Sequence, residues 1–576
     1  MSAPPADPRP SFPREPPMSH HVPSGEHDVV DLAVIGAGIN GLAIARDAAA
    51  RGLRVVVVDR ADVGSGTSST SSRLIHGGLK YLERYDFALV NESIRERHLL
   101  FRTAPHLVRD YPMLIPFYKG NTRPGTLIRL GLLAFDVLAL NRGRGLSRTV
   151  PVRKVARRWP TLSRDGLRGA ALFHDAQVPW AERLCVELFL DARRLGARVL
   201  TYTSVTGLVV EGDRVAGLRT EDVRTGESGE IRAAVTVNAA GPWIDRILDG
   251  QIESRRLNGG TKGSHVVLDP FPGAPDTCIF FEAAADGRPI FVFPWQGRYV
   301  LGSTDLTYEG DLDEVVASDA EIDYLLAETN RIFPGAGLTS GDVLWSVAGI
   351  RPLPYTAGVS DNAKISRGHT VLDHGPAYRG LLTVIGGKLT THRALAEDVT
   401  DAALRVLGRR PRPCVTRERP LPGAETSAWP EFVRDFLRDS PLDRASSRRL
   451  LQLYGVRARR VLEIAAGDPS LAEVVDKETG ALAAEVVMAV REEGAVTLGD
   501  VMLRRILVGL NGDMGLDSAA TCADVAVRHL GWDEDRARSE VAAYEKELRR
   551  HRPRALAEAA GGGVGGSSGS GSGRTA

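Results

Sequence analysis

Six positions near the start of the chain have the types and spacing of a phosphate-binding loop: Gly36-Ala37-Gly38-Ile39-Asn40-Gly41. The apolar run Val29–Ile35 precedes them, and a helical pattern, LAIARDAAARG, follows. The first glycine permits a tight turn, the second lets the backbone approach a pyrophosphate, and the third lets helix and strand pack closely. Together with Asn40, these residues predict a dinucleotide cradle at a helix N-terminus, where free N–H groups and the helix dipole favour anions.

An acidic residue completes this pattern. A second strand, predicted over Arg54–Asp59, ends at Asp59, eighteen residues after Gly41. A carboxylate at this spacing accepts hydrogen bonds from a ribose 2′-hydroxyl and disfavours a 2′-phosphate, which favours FAD or NAD over NADP. The alternative is a simple glycine turn with a surface aspartate. That alternative would not explain why a strand precedes the motif and a helix and a second strand follow it.

A run of small hydroxyl residues, GSGTSSTSS, occupies residues 64–72 directly after the second strand. It could be a flexible linker. However, Ser and Thr hydroxyls beside backbone N–H groups can wrap a diphosphate, and the run leads into Arg73-Leu-Ile-His-Gly-Gly78. Because a nicotinamide enzyme has no need of a second wrapping loop, this segment favours FAD.

These residues require an α/β framework to hold them. Between residues 29 and about 410, short β-branched runs alternate with helical stretches, which predicts a Rossmann-type FAD-binding domain joined to an antiparallel substrate-binding sheet. Residues 423–550 show helical patterns, at Gly480–Glu493, Thr497–Leu510 and Asp533–Arg549, and we expect a C-terminal all-helical domain there. Residues 1–28 and the Gly/Ser-rich segment 551–576 are predicted to be disordered.

Composition excludes several classes of protein. The 576 residues include 73 Lys and Arg against 72 Asp and Glu, so nothing indicates a nucleic-acid-binding protein. The four cysteines are scattered, without the spacing of a metal site, so we expect no catalytic metal and a reducing, cytoplasmic location. The segment 127–140 comes nearest to a membrane span, but Arg129 and Asp136 interrupt it. No apolar segment typical of a signal peptide stands near the N-terminus.

Several motifs, taken together, resemble one family closely. GAGINGLAIARDAAARGL, GTSSTSSRLIHGGLKYLE, VNAAGPW, KGSHVV, GSTD, GIRPL and GGKLTTHR occur in the order seen in FAD-dependent glycerol-3-phosphate dehydrogenases, of the D-amino-acid-oxidase-like superfamily. The segment AEVVMAVREEGAVTLGDVMLRR resembles the C-terminal domain of that family. The resemblance spans about residues 29–550. It implies FAD as the cofactor, oxidation of sn-glycerol 3-phosphate to dihydroxyacetone phosphate, and transfer of electrons to a quinone. We expect the FAD to be held non-covalently, because no His or Cys in a recognised attachment context follows the hydroxyl-rich loop.

The resemblance also implies a set of cofactor contacts. Beyond the glycine loop and Asp59, these are Arg60, Thr67, Ser68, Ser69, Ser71, Ser72, Leu74, His76, Gly77, Gly78, Val205, Ala240, Gly241, Gly349, Arg351, Gly387, Lys388, Leu389 and Thr390.

The catalytic site is predicted from residue chemistry, and the resemblance supports Arg351 in particular. Hydride transfer to flavin N5 requires a base for the hydroxyl proton and cations near the flavin and the phosphate. We expect His265 to be the general base because its unperturbed pKa is near neutral, Arg351 to clamp the substrate, and Lys388, after a strand and two glycines, to stabilise negative charge. A strand-end histidine held by its neighbours, a surface arginine and a solvated lysine are the alternatives for these three residues.

Four further residues are expected to contact the substrate: His76, Lys80, Tyr81 and Thr391. This chain has Lys80 where the family usually has Arg, and His392 where Tyr is common.

Pro179 and Trp180 stand where acidic residues are expected. We expect these differences at Lys80, His392, Pro179 and Trp180 to surround the substrate pocket, which makes FAD a firmer expectation than the phosphorylated polyol.

Two other functions remain open. One is an oxidase or an amine or hydroxy-acid dehydrogenase on the same fold, since fold alone does not define substrate. The other is a flavin-bearing protein that binds a partner through its C-terminal helices. Contact with one face of a membrane and a homodimer are both compatible with the sequence.

Overall fold

The computed structural model describes residues 29–79, 86–139, 145–356 and 365–552. The expectations for the N-terminal segment, for Lys80 and Tyr81, and for the tail beyond residue 552 lie outside the described residues. The strands within these ranges are β1 (Val30–Ile35), β2 (Val55–Val58), β3 (Leu74–Ile75), β4 (Arg109–Tyr118), β5 (Arg148–Pro151), β6 (Leu167–Gln177), β7 (Arg198–Leu200), β8 (Thr203–Glu211), β9 (Arg214–Asp222), β10 (Ser228–Asn238), β11 (Thr261–Leu268), β12 (Cys278–Glu282), β13 (Pro289–Trp295), β14 (Arg298–Gly302), β15 (Leu306–Thr307), β16 (Val343–Arg351), β17 (His369–Asp373), β18 (Leu381–Gly386), β19 (Val474–Asp476) and β20 (Ala481–Leu482).

The helices fall both between these strands and after them. They are α1 (Ile39–Ala50), α2 (Phe87–Thr103), α3 (Gly125–Leu138), α4 (Val152–Arg158), α5 (Ala181–Arg194), α6 (Ile244–Leu248), α7 (Asp319–Ile332), α8 (His392–Val406), α9 (Trp429–Asp439), α10 (Arg444–Tyr454), α11 (Ala458–Gly467), α12 (Ala483–Arg491), α13 (Leu498–Asp500), α14 (Leu516–Leu530) and α15 (Glu534–Leu548).

The first sheet is a Rossmann-type layer. Its strands run in the order β17-β18-β10-β1-β2-β7, and β8 and β9 extend it as an antiparallel pair beside β10. The five strands from β18 to β7 are parallel, and all six residues of β1 and all four of β2 are buried. Strands covered on both faces are typically continuous apolar runs, as VVVV of β2 is and as β1 is from Leu32 onward. The carboxyl ends of β1 and β2 therefore meet at one edge, where the glycine loop begins.

The second sheet is mainly antiparallel and carries much of the opposite wall of the cavity described below. Its order is β15-β11-β14-β13-β12-β4-β6-β3, with β16 beside β11 and β5 beside β6. The two long strands β4 and β6 are not evident from the sequence. Pro112 and Pro116 interrupt β4, and prolines argue against an interior strand, whereas β6 has no β-branched residue. The predicted combination of an α/β domain with an antiparallel sheet is confirmed.

The C-terminal region is helical apart from the hairpin of β19 and β20. It shares a buried apolar cluster with the second sheet, in which Trp295 and Trp345 contact each other with ring centroids 6.0 Å apart. The predicted single helix over Thr497–Leu510 is instead broken into α13, a π-helical turn over Val501–Arg505 and a 3-10 turn over Val508–Leu510. His551, expected in the disordered tail, is half-buried, and its Nδ1 lies 3.0 Å from the Ser346 carbonyl oxygen.

Candidate active site

The glycine loop has the close contacts that its sequence predicts. A side chain at Gly41 would place its Cβ 1.8 Å from the Gly36 carbonyl oxygen, and one at Gly36, where φ is +103°, would lie 2.7 Å from the Ala239 carbonyl oxygen. Gly38 differs, since its Cβ would meet only the Ser68 hydroxyl, at 3.4 Å. Gly36 and Gly41 are therefore needed for packing, whereas Gly38 keeps open the space in front of the α1 N-terminus.

Asp59 stands at the carboxyl end of β2, where the sequence places a ribose-binding acid. Its carboxylate accepts hydrogen bonds from the backbone N–H groups of Ala37, at 2.6 Å, and Ala61, at 3.0 Å. Burial raises the pKa of Asp59 to about 6, although these two hydrogen bonds oppose the shift. The carboxylate thus ties the glycine loop to the start of the next loop while it lines the cavity.

The hydroxyl-rich loop of residues 64–72 is built into the fold. Ser68 Oγ accepts from the Ile39 N–H at 3.0 Å, at the start of α1, and Thr67 Oγ1 donates to the Ile350 carbonyl at 2.9 Å, in β16. At the end of the loop, the Arg73 guanidinium donates to both oxygens of Glu182, at 2.6 and 2.7 Å, and lies over the Trp295 ring. The flexible-linker alternative is therefore wrong, and the loop joins both sheets around the cavity.

The cavity has a volume of about 1340 Å³, larger than the roughly 300–1,000 Å³ of an ordinary small-ligand site. The described residues of the predicted site that line it are Gly36, Gly38, Asn40, Asp59, Arg60, Thr67, Ser68, Ser69, Ser71, Ser72, Leu74, His76, Val205, Ala240, Gly241, His265, Gly349, Arg351, Gly387, Lys388, Leu389 and Thr390.

Four predicted residues do not line this cavity: Gly41, Gly77, Gly78 and Thr391. Gly41 supports the loop from behind, and the Gly77 N–H donates to the Asp175 carboxylate at 2.8 Å. Thr391 is buried at the N-terminal cap of α8, which does not support its predicted contact with substrate. These positions shape the walls from outside.

Two arginines share one carboxylate at the cavity wall. Arg351 Nη1 lies 3.1 Å from Asp305 Oδ1, and Arg367 Nη2 lies 3.1 Å from Asp305 Oδ2. Arg351 Nη2 also donates to the Ser303 hydroxyl at 2.8 Å and to the Thr304 carbonyl at 3.0 Å. Two guanidiniums against one carboxylate leave a net positive charge, which suits an anionic substrate.

The sequence reasoning missed Arg367. It lies in a segment without a recognisable motif, ISRGHT, and only the pairing of its region with Asp305 brings it to the cavity.

His265 lines the cavity, but its environment contradicts the reason for choosing it as the base. Burial, together with the nearby charges of Arg351 and Arg73, lowers its pKa to about 3. Its Nε2 lies 2.8 Å from Ser72 Oγ, and its ring covers Gly302, where a Cβ would lie 2.2 Å from the ring. The expectation of a near-neutral pKa is therefore wrong, and the imidazole is neutral throughout the physiological range.

Lys388 follows β18, and its pKa is near neutral, as had been expected for His265. Burial lowers the pKa of its ammonium to about 7, although the carboxylates of Glu92 and Asp86 oppose the shift. Its Nζ lies 3.4 Å from Ser93 Oγ, in α2. A solvated lysine is therefore excluded, and Lys388 is a titratable group at the cavity wall.

Three of the expected pocket differences lie elsewhere. Trp180 and the carbonyl of Pro179 belong to the buried wall behind Arg73, where that carbonyl accepts a hydrogen bond from Trp295 Nε1 at 2.8 Å. His392 is buried at the first turn of α8, with Nδ1 2.8 Å from the Leu389 carbonyl oxygen. None of the three lines the cavity. They lie behind the cavity wall and do not face the cavity, because long-range packing turns them into the core.

At the dinucleotide end, Arg60 interacts with protein groups. Its guanidinium lies over the Trp243 ring at 4.9 Å and pairs with Asp313, which also accepts from Trp243 Nε1 at 2.9 Å. Arg246 binds the same carboxylate at 2.7 Å. These residues close the cavity beside Asp59.

The fold and the cavity together define a Rossmann-type flavoenzyme with a C-terminal helical region. Residues 31–393 match the model of the FAD-dependent oxidoreductase family, and residues 414–537 match that of the C-terminal domain of alpha-glycerophosphate oxidase.

Two relatives extend the comparison. The chain is 40% identical to a glycerol-3-phosphate dehydrogenase of Synechocystis sp. over 91% of this chain and 97% of that protein. It is 36% identical to glycerol-3-phosphate dehydrogenase 2 of Mycobacterium tuberculosis, over 89% of this chain and 87% of that protein.

A solved structure is similar along most of its length. The glycerol-3-phosphate dehydrogenase of Bacillus halodurans, determined in complex with FAD, superposes with a TM-score of 0.72 at 26% identity, covering 91% of this chain and 95% of that chain. The chain belongs to the FAD-dependent glycerol-3-phosphate dehydrogenase family, and its cofactor is FAD.

The residues present fit this cofactor. The cavity runs from the glycine loop to the cationic groups at Arg351 and Lys388. Asn40 Oδ1 is buried and has no hydrogen-bond partner among the described residues, as a group that binds a ligand would be. A Cβ at Gly387 would lie 2.6 Å from Asn40 Nδ2, so glycine keeps that amide in place. Within the described ranges, no group of three or more His, Cys, Asp or Glu residues could hold a metal ion.

Proposed function

We propose that this protein oxidises sn-glycerol 3-phosphate to dihydroxyacetone phosphate and passes the electrons to a membrane quinone. The observation that carries the proposal is the joining, in one cavity, of the dinucleotide loop with Arg351, Arg367, His265 and Lys388. The names of the relatives at 36–40% identity support the same substrate. Bound FAD supplies the acceptor for the hydride from the carbinol carbon.

Arg351 and Arg367 bind the phosphate. A guanidinium has five N–H donors, so each arginine can keep its contact with Asp305 and still donate to a phosphate oxygen. The contacts of Arg351 with Ser303 and the Thr304 carbonyl fix the plane of its guanidinium before substrate arrives. Because the guanidinium is already ordered, less conformational entropy is lost when substrate binds.

Lys388 accepts the hydroxyl proton. With a pKa of about 7, a large fraction of its amine is neutral at neutral pH, and its conjugate acid is strong enough to release the proton afterwards. His265, with a pKa of about 3, is a much weaker base. The neutral imidazole instead orients the substrate by hydrogen bonding while Ser72 holds Nε2.

An apolar surface on α3 supports the membrane contact. Leu127, Leu130, Leu133 and Val137 are 51–65% exposed, although the inner face of the same helix is buried. On that inner face, Phe135 packs against Phe173, a residue of the cavity wall, with ring centroids 6.4 Å apart. The apolar face thus lies only one packed layer from the cavity, where a lipid-soluble acceptor would be useful.

Within the described residues, no helix is long and apolar enough to cross a membrane. On the basis of the exposed apolar face of α3, we propose that the protein binds the cytoplasmic face of the membrane through this helix.

Anaerobic bleaching of the purified yellow protein tests the activity. We expect glycerol 3-phosphate to reduce the flavin and glycerol to reduce it at least a hundredfold less efficiently. A soluble quinone should then restore the yellow colour much faster than air does. Bleaching by an amino acid, or rapid recovery in air alone, would contradict the substrate or the acceptor respectively.

A further inference from the structure

One of the contacts between the C-terminal helical region and the flavin-binding part of the chain is made by a buried carboxylate, Asp62. Asp62 lies between Asp59 and the hydroxyl-rich loop and is 1% exposed. Arg505 Nη2 donates to Asp62 Oδ1 at 2.9 Å, and Arg504 Nε donates to Asp62 Oδ2 at 2.5 Å. Arg505 Nη1 also binds Oδ2. Two arginines that are more than 400 residues away in sequence therefore bind the turn between Asp59 and the hydroxyl-rich loop.

The turn that contains Asp62 connects this contact to the residues that line the cavity. Residues 59–61 and 65–72 line the cavity, whereas residues 62–64 are absent from its lining. Of these three, Asp62 contacts the C-terminal region. The N–H of Gly64 donates to the Ala37 carbonyl, inside the glycine loop, at 2.9 Å, and the Ser65 N–H donates to the Asp62 carbonyl at 3.3 Å. A shift of Asp62 would consequently move both phosphate-binding loops.

The arginines are themselves firmly held. The Arg505 side chain is fully buried and donates to the Glu493 carbonyl at 3.0 Å, and Arg504 Nη2 binds Asp500 at 2.6 Å. Asp500 also accepts from the Tyr202 hydroxyl at 2.7 Å, in the turn that follows β7. The cluster balances two buried carboxylates with two guanidiniums, so removing one member leaves one buried charge without compensation.

An unusual helical turn makes this arrangement possible. Successive residues of a regular α-helix point about 100° apart, so neighbours seldom reach one group. Here Arg504 and Arg505 end a π-helical turn and both bind Asp62. The break in the predicted helix over residues 497–510 thus coincides with the contact to the flavin loop, as π-helical turns often coincide with functional sites.

We propose that Arg505, acting through Asp62, positions the flavin-binding loops, so that the C-terminal region controls how tightly FAD is retained. Arg505 does not line the cavity and is a positioning residue, whereas Arg504 lies at the wall. Because the contact orders the loops that bind the cofactor, FAD binding and docking of the π-helical turn stabilise each other.

The test measures FAD release from the holoenzyme. The Arg505→Met and Asp62→Asn variants, each diluted to nanomolar concentration, should release FAD at least tenfold faster than the wild type. The rise in flavin fluorescence on dilution measures the rate of release. The double variant should release FAD no faster than the more affected single variant, because both changes break the same contact.

Arg457→Met is the matched control. Arg457 is also buried in the C-terminal region. It binds Glu493 at 2.6 Å and approaches Glu187 of α5 at 3.8 Å, and neither of these carboxylates belongs to residues 59–72. We expect it to lower the melting temperature with excess FAD present, as Arg505→Met does, while FAD release stays within threefold of the wild type.

Equal release rates for the three single variants would overturn the proposal and leave Arg505 a purely structural residue. Should Arg505→Met fail to fold, Asp62→Asn and Arg505→Lys give the same comparison, with an intermediate rate expected for Arg505→Lys.

Discussion

His265 Nε2 lies 2.8 Å from Ser72 Oγ, which joins β11 of the antiparallel sheet to the hydroxyl-rich loop of the Rossmann part. The contact fixes a neutral imidazole at the cavity wall, because burial lowers its pKa to about 3. Lys388, which follows β18 of the Rossmann-type sheet, has a pKa lowered to about 7 by burial. The difference between these two pKa values makes Lys388 the better base at neutral pH.

The activity should depend on the titration of Lys388. A lysine whose pKa is lowered to about 7 loses its proton as pH rises through that value, so kcat/KM should rise about tenfold per pH unit below 7 and level off above it. Lys388→Met should reduce kcat/KM by roughly 10²–10⁴ and abolish this dependence. The measurement is a pH profile of kcat/KM with glycerol 3-phosphate.

His265→Asn is the control for that profile. It should lower kcat while the rise near pH 7 persists, because the titrating group is Lys388. Loss of that rise in His265→Asn, with its retention in Lys388→Met, would assign the base to His265.

Gly38→Trp should give folded, colourless protein. A Cβ at Gly38 meets only Ser68 Oγ, at 3.4 Å, so the backbone accepts a side chain, but the indole would occupy the space of the pyrophosphate. The measurements are flavin absorbance after purification and the circular dichroism spectrum. Gly38→Ala, as control, should retain some FAD, and full flavin content in Gly38→Trp would place the cofactor elsewhere.

Arg351→Ala should weaken catalysis on the phosphorylated substrate selectively. Losing a charge-assisted contact to a buried phosphate costs about 2–3 kcal/mol, or roughly a hundredfold in kcat/KM. Glycerol, which has no phosphate, should be much less affected. Equal losses on glycerol and glycerol 3-phosphate would mean that Arg351 holds the reacting end or the fold through Asp305.

Removing the apolar face of α3 should uncouple the enzyme from membranes. Leu130→Ser with Leu133→Ser changes two side chains that are 65% and 60% exposed, so the fold should be retained. We expect loss of co-sedimentation with phospholipid vesicles and of activity with a long-chain quinone in those vesicles, and unchanged activity with a water-soluble dye. Vesicle binding equal to that of the wild type would refute the role of α3.

His392→Tyr should leave the KM for glycerol 3-phosphate within twofold of the wild type, even though tyrosine is common there in the family. His392 is buried outside the cavity lining and lies 2.8 Å from the Leu389 carbonyl oxygen, so the larger ring should lower the melting temperature. Thermal unfolding and steady-state kinetics separate the two effects. A large change in KM would restore the expectation that this position faces the substrate.

The sequence alone determined the dinucleotide site. The glycines of residues 36–41, the helix after them and Asp59 are close along the chain, and their geometry follows from backbone sterics and strand–helix connectivity. The FAD-specific loop over residues 64–72 was recognisable for the same reason, since its hydroxyls directly follow β2. The α/β class and the helical C-terminal region followed from the periodicity of apolar residues.

Tertiary structure alone decided the chemistry of the cavity. Burial and neighbouring charges, which depend on residues distant in sequence, separate the pKa values of His265 and Lys388. The approach of Arg367 to Asp305, the turning of Trp180 into the core and the contact of Arg505 with Asp62 depend on packing between sheets and helices. Local sequence patterns indicate strands, helices and turns. The electrostatic environment of a side chain depends on residues from distant parts of the sequence that pack around it.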